Sequence, residues 1–253
     1  MAGGTVEAGR SVTSRAFAVL EAYDDRHLRL GLSELARRSG LPLTTTHRLV
    51  AELVAWGALE RRTDGCYVVG RRLWQLGLLA PVHRELREVA LPFLQDLYET
   101  TRENVHLAVR SGHEALYVER LHGHGSVPLV SRAGGRLPLH ATGVGKVLLA
   151  HAPPEVVLRA LDRPERVTRH TITEPGRLRR ELADVRRRGY ARTVEEMTLG
   201  TYSVAVPVVG GDGEVVAALG LVTTTMRKDL HRLAPALQVA AAGIARGLLP
   251  GPL

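Results

Sequence analysis

Residues 32–70, LSELARRSGLPLTTTHRLVAELVAWGALERRTDGCYVVG, constrain the fold more than any other stretch. Their spacing admits two short helices about a glycine turn, followed by a β-hairpin. Ser33 precedes a short helical run with Leu35 and Ala36 inside, and Ser39-Gly40 ends it where glycine tolerates the positive φ of a tight turn. Leu41-Pro42 begins a second helix, along which Thr46, Leu49, Val50 and Leu53 fall at i, i+3, i+4 and i+7 and turn inward together. After Gly57, residues 58–62 turn extended, Thr63-Asp64-Gly65 makes a turn and residues 66–69 return. Asp-Gly between two extended runs is a strong hairpin signal.

This pattern outlines a helix-turn-helix with a β-hairpin wing, and its outward face is polar and cationic. The N-terminal residues of such a recognition helix reach base edges: Thr hydrogen-bonds or touches a thymine methyl, and Arg forks onto guanine O6 and N7. Thr44, Thr45, His47 and Arg48 are therefore the candidate readers of double-stranded DNA. Arg61, Arg62, Arg71 and Arg72 flank the hairpin as candidate phosphate clamps, which fix register without specifying sequence. Helix-turn-helix geometry also occurs in folds that never meet nucleic acid, so pattern alone leaves both readings open.

Several separate motifs narrow the choice. SELARRSGLPLTTTHRLVAEL, DGCYVVGRRLWQLG, GGRLPLHATGVGKVLLA, RRRGYARTVEE and GTYSVAVPVVGGDGEVVAALGLV follow one another along the chain. Together they resemble, in order, the helix-turn-helix, the wing and linker start, the effector-domain signature and the second half of that domain in the isocitrate-lyase-regulator (IclR) family. The resemblance spans residues 12–248. It implies a transcription regulator that is not an enzyme, with an operator DNA partner, a small-molecule effector and self-association as a homodimer or a pair of dimers.

Bulk properties agree with two domains. The chain has 253 residues, more than one average domain needs. Its net charge of +8 favours an anionic partner without naming DNA. Residues 1–77 hold 11 arginines against 8 carboxylates, so the charge is not gathered at the N-terminus, and local Arg placement is the better argument. The single cysteine, Cys66, excludes an internal disulfide and falls in the expected wing strand. Neither a signal-peptide core nor a run of about 20 apolar residues is seen, so a cytoplasmic protein with no membrane partner is expected.

The expected organisation is a disordered lead over residues 1–10, a winged helix-turn-helix over 11–72, a linker helix over 73–86 and a second domain over 87–253. The stripe Val12, Ala16, Val19, Leu20 and Tyr23 opens the first helix. Helical spacing over residues 71–101 is expected to break at Pro81 and Pro92. Beyond it, residues 105–109, 115–121 and 127–130 read as strands, and 177–188 and 231–248 as helices. Residues 203–209 and 215–224 form a hairpin joined by Gly210-Gly211-Asp212-Gly213. Consecutive hairpins among helices imply an α+β domain, which the resemblance sharpens to a GAF-like effector-binding fold.

By resemblance, the effector site falls at Leu129, Leu137, Gly143, Val144, Thr193, Ser203, Gly220 and Val222. Thr193 and Val194 stand where the family commonly carries acidic residues, and Gly220 and Val222 remove hydroxyls from the last strand. Fewer polar groups and more open volume favour an aromatic acid over a two- or three-carbon acid. Gly143 and Gly145 flank a helix start whose N–H groups are able to receive a carboxylate. Equally, they permit close packing of helix on sheet.

Enzyme chemistry finds little footing, and no cofactor or metal is expected. Gly143-Val144-Gly145-Lys146 resembles a phosphate loop, but His140 stands where the first glycine belongs and Val147 replaces the magnesium-holding Ser or Thr. His122-Gly123-His124 with His113 lacks convincing metal-ligand spacing. No G-x-S-x-G elbow occurs, and Glu195-Glu196 resembles a structural acidic motif of the family. The alternative is a small-molecule-binding module or enzyme whose N-terminal domain binds a partner protein.

Overall fold

The computed structural model describes residues 11–24, 27–79, 83–122, 131, 133–224 and 230–249. The chain divides into two compact units, Met1–Val82 and His83–Leu253.

In the first unit, helices α1 (Val12–Leu20), α2 (Leu32–Ser39) and α3 (Leu43–Trp56) precede strands β1 (Leu59–Arg61) and β2 (Tyr67–Val69) and helix α4 (Arg71–Leu78). Ser11 caps α1 by accepting from the Ser14 N–H, satisfying a donor that the helix leaves orphaned. Gly40 and Gly57 end α2 and α3 in the left-handed region, at φ 67° and 86°, where a Cβ is penalised. Val19, Leu30, Leu35, Leu49, Val50, Leu59 and Tyr67 close one small core. A bridge between Leu30 and Tyr67 ties the chain ahead of α2 to the wing by two backbone hydrogen bonds, of 3.1 and 2.8 Å.

Three local expectations need correction. Gly31, not Ser33, caps α2, and Ser33 lies exposed inside its first turn. Val12 starts α1 but is 51 % exposed, since it precedes the face that reaches the core. Cys66 sits in the turn rather than in β2: its N–H donates to Asp64 Oδ1 and its carbonyl accepts from Arg62. Asp64 thereby shapes the turn through its side chain, as Asx residues do.

The junction between α3 and α4 is tight. The Gly70 N–H donates to the Ala58 carbonyl at 2.7 Å, and a Cβ at Gly70 would lie 2.3 Å from the Gly57 carbonyl oxygen. Only glycine fits there. Arg72 stacks its guanidinium 4.4 Å from the Trp56 ring centroid and donates to the Trp56 carbonyl.

The second unit opens with α5 (Arg84–Thr101), so the helix expected over 73–86 is replaced by α4, which ends at Leu78, and α5, which starts at Arg84. Pro92 does not break α5. An internal proline disfavours a helix by about 3 kcal/mol, but α5 buries Leu86, Ala90, Leu94 and Leu97 against the sheet, and that face outweighs the lost hydrogen bond. Strands β3 (Asn104–Ser111), β4 (Glu114–Leu121) and β5 (Arg136–Pro138) follow, then helices α6 (Gly143–Ala150), α7 (Pro154–Leu161) and α8 (Pro175–Arg188). Strands β6 (Ala191–Val194), β7 (Tyr202–Val209) and β8 (Val215–Thr223) complete an antiparallel sheet of order β5-β4-β3-β8-β7-β6. Helix α9 (Ala234–Gly247) starts after a 3-10 turn at Leu230–Leu233, later than the expected 231, with Pro235 in its first turn. The expected lead over 1–10 and strand over 127–130 lie outside the described residues.

Period-two alternation gives the sheet two different faces. Leu107, Val109, Val204, Val206, Leu219 and Leu221 pack with α5 and α9. Ala108, Tyr117, Ala205 and Ala218 meet α6 and α8. The small residues of this second face let α6 approach closely. Among the described residues, no helix is long and apolar enough to cross a membrane.

Candidate functional site

Along α3, Thr46, Leu49 and Val50 are buried while Thr44, His47 and Arg48 are exposed, and Thr45 is half-buried at the edge. Thr46 donates its hydroxyl to the Pro42 carbonyl at 3.1 Å, which satisfies it inside the core and leaves the outer strip to carry polar chemistry. On the wing, Arg61 and Arg62 are exposed. Arg61 rests 5.9 Å from the Tyr67 ring centroid, and neither Arg48 nor Arg62 has a carboxylate partner among the described residues. Arg72 is occupied by Trp56, and the Arg71 N–H by the Glu60 carboxylate. The sequence reading missed Arg29, whose ion pair with Asp64 braces the wing tip from 35 residues away.

The second site is a cavity between the α6 face of the sheet and the segment 197–201. Leu137, Gly143, Val144, Thr193, Ser203, Gly220 and Val222 all line it, so seven of the eight positions carried over by resemblance converge. Leu129 lies outside the described residues. Strand pairing brings them together: Ser203 stands opposite both Thr193 and Val222, and Gly220 is opposite Ala205 and His106.

The expectation of open volume fails. The cavity measures about 40 Å³, room for roughly three waters. A Cβ at Gly220 would lie 2.9 Å from Val144 Cγ1 and 3.2 Å from Ala205 Cβ, so the space its missing side chain leaves is filled by α6. Gly143 likewise lets α6 approach Ser203, where a Cβ would meet Oγ at 2.5 Å. Close packing is thus the role these glycines play. The Thr142 hydroxyl caps α6 and accepts from the Gly145 N–H at 3.0 Å, so that donor is already taken.

Nor is the lining poor in polar groups, because His106, Tyr117, Ser131, Thr142, Thr198 and Thr201 also contribute, with Met197 beside them. All of these escaped the sequence reading. The signal was present in part: in Val105-His106-Leu107-Ala108-Val109 the apolar residues mark one face, and His106 interrupts the other. His106 is fully buried, and desolvation, reinforced by the Arg120 charge, pushes its imidazole down to about 3. It is neutral near pH 7. Its ring meets Tyr117 edge-on, with centroids 5.2 Å apart and planes at 84°, and Nε2 lies 3.2 Å from Ser131 Oγ. Burial pushes the Tyr117 phenol up, opposed by a hydrogen bond with the Thr142 side chain. The hydroxyls of Thr193 and Ser203 bond to each other at 2.5 Å.

Behind this wall, Lys146 is fully buried and donates to Glu196 Oε1 at 2.5 Å. This disposes of the phosphate-loop reading in physical terms, since the ammonium faces a carboxylate inside the fold. Desolvation raises the Glu196 carboxyl above its ordinary range, and Lys146 works to lower it. Thr168 and Thr171 donate to the carbonyls of Glu195 and Glu196, so the segment leading into Met197 is held from two sides.

Comparison with known proteins bears on both units of the chain. A family model described as the IclR helix-turn-helix domain matches residues 12–63, and one described as the bacterial transcriptional regulator IclR C-terminal matches residues 80–246. The chain is 33 % identical over 241 residues to the HTH-type transcriptional regulator XynR of Escherichia coli, covering 92 % of this chain and 95 % of that protein. To the transcriptional repressor IclR of the same organism it is 31 % identical over 213 residues, with 82 % and 78 % covered. The crystal structure of an IclR homolog complexed with 4-hydroxybenzoate, from Microbacterium hydrocarbonoxydans, superposes with a TM-score of 0.88 at 38 % identity, covering 94 % of this chain and 99 % of that one.

Proposed function

The chain belongs to the IclR family of bacterial transcriptional regulators, and from that premise we propose that an aromatic acid held in the cavity of the second unit controls its affinity for operator DNA. Thr44, Thr45, His47 and Arg48 read base edges in the major groove, and Arg61 and Arg62 neutralise phosphates. Acting on chromosomal DNA, the protein works in the cytoplasm. Two-fold pairing of two chains, alone or as a pair of dimers, presents two heads to half-sites whose centres lie about one helical turn, ~34 Å, or a multiple of it apart.

The observation that carries the effector reading is the convergence of seven expected positions on one cavity, lined by hydroxyls and apolar groups. The relative crystallised with 4-hydroxybenzoate supports the aromatic class. Volume adds a mechanism. A cavity of about 40 Å³ is smaller than an aromatic ring needs, since benzene occupies engineered cavities of roughly 150 Å³. An aromatic acid therefore enters only by displacing a wall, and Ser131, Thr142, Met197, Thr198 and Thr201 are the lining residues outside helices and strands. A ligand that prefers the widened state shifts the population toward it, and a coupling of roughly 1–3 kcal/mol suffices for regulation.

Gel shift on the chain's own upstream intergenic DNA, against nonspecific competitor and with added aromatic and aliphatic acids, tests this. Specific binding altered by an aromatic acid is expected. Binding altered by short aliphatic acids alone overturns the effector class. Loss of all sequence preference on that DNA excludes that promoter as the target, and selection from genomic fragments then decides between a regulator and a module whose N-terminal unit binds protein.

A further inference from the structure

Arg120 is a partly buried cation with no carboxylate partner among the described residues. It stands opposite His106 in the β3–β4 ladder, on the cavity face of the sheet. One guanidinium nitrogen donates to the Ser131 carbonyl, and Nε is buried with no hydrogen-bond partner among the described residues. The neighbouring carboxylate does not help, because Glu119 points to the other face and pairs with Arg87 at 2.5 Å. No carboxylate among the described residues lies within ion-pair distance of Arg120. A partly desolvated guanidinium without a counter-anion is unfavourable, and burial shows its effect by drawing the Arg120 group below its ordinary value.

Ser131 and His106 connect this charge to the cavity they line. Ser131 accepts from Arg120 through its carbonyl, and its hydroxyl lies 3.2 Å from His106 Nε2. At the far side the hydroxyl pair Thr193–Ser203 belongs to β6 and β7. Since β8 lies between β3 and β7, two strand spacings, roughly 10 Å, separate the two polar ends. Val144, Ala205 and Gly220 form the apolar stretch between them. Such a span suits an aromatic ring with a polar group at each end.

We propose that the His106–Ser131 end of the cavity, backed by Arg120, takes the effector's carboxylate, and that the Thr193–Ser203 end takes a polar substituent opposite it on the ring. The proposal rests on the aromatic-acid reading above and fixes its orientation. Arg120 acts as a positioning charge through the wall, while His106 serves as a neutral hydrogen-bonding group. The competing site for the carboxylate is the start of α6 near Gly143 and Val144, to which Arg120 is not connected.

Calorimetric titration of the full chain with 4-hydroxybenzoate and with uncharged 4-hydroxybenzamide tests the assignment, with operator binding in the absence of ligand confirming that each variant folds. The native chain is expected to prefer the acid. Arg120→Gln should weaken acid binding about tenfold or more and change amide binding little, because only the acid carries the charge that Arg120 attracts. Arg120→Lys should retain most of the preference, and His106→Gln, which cannot become cationic, should keep it. Equal losses for acid and amide in Arg120→Gln, or a preference that vanishes in His106→Gln alone, overturn the proposal and leave the effector class standing. If the native chain binds neither this acid nor other benzoic acids, the effector class fails and the proposal falls with it.

Discussion

On the outer face of α3 the polar side chains stand exposed with no hydrogen-bond partner among the described residues, whereas in the cavity most polar groups already have a protein partner. Thr44, His47 and Arg48 are exposed, and Thr193 bonds to Ser203, Thr142 to Gly145, and His106 to Ser131. The two sites consequently respond to different changes. A surface reader loses what it contacted when a side chain is removed. A buried network that loses one member keeps the others desolvated and unsatisfied, which is the more expensive outcome.

The sharpest break in that contrast is expected at Lys146. Lys146→Met should leave Glu196 buried without its cation and lower stability by about 3–5 kcal/mol. Replacing both residues with Met should recover most of the loss in denaturant unfolding of the full chain; no recovery would mean the cavity wall depends on more than this pair. Next comes His106. The unfolded imidazole binds a proton near 6.5 and the folded one resists until about 3. Acid therefore favours the unfolded chain in that window: the contribution is fully present above pH 6.5 and is lost as pH falls toward 3, on the order of a few kcal/mol in all. His106→Gln should flatten this part of the stability profile, and an unchanged profile would show that other groups set the acid limit.

On the exposed side the effects are smaller and are read on DNA. Arg48→Ala should weaken operator binding by about 1–3 kcal/mol and relax preference at one base pair, while stability barely changes. A uniform loss across sequences would instead make Arg48 a phosphate contact. Arg62→Ala should weaken all sequences alike and reduce the salt slope by about one, measured by titration at several salt concentrations. No change in slope would remove the wing from the contact surface.

The same contrast decides what was legible in the sequence. The elements of the first unit are local: Gly40, Gly57 and the Asp64-Gly65 turn mark helix ends and hairpin within a few residues, and the stripe at Thr46, Leu49, Val50 and Leu53 follows directly from helical period. Where that reading slipped, at Ser33 and Cys66, the error was a boundary displaced by one or two residues. The cavity is assembled from β3, β4, β5, α6, β6, β7 and β8, over more than a hundred residues of chain. Resemblance supplied seven of its positions, but nothing local to His106 or Tyr117 says which face meets which helix. The expected open space at Gly220 was wrong for the same reason, since a missing side chain says nothing of the Val144 methyl that fills its place. Pro92 erred in the other direction, because local propensity could not weigh the buried face of α5.

The joint where Gly70 lies against Gly57, and Arg72 covers Trp56, has a mechanical meaning. There is no slack in it: the backbones touch, a hydrogen bond spans them, and a cation clamps the ring at the end of α3. Helix α4 thereby leaves the end of the recognition helix in a direction set by this joint. A change in the direction of α4 is therefore expected to be felt at Trp56 and Gly57, the end of the recognition helix opposite Thr44 and Arg48. Any side chain at position 70 would push the Gly57 carbonyl away and so re-aim α4, while the small core of this unit, which does not include Gly70, keeps its packing.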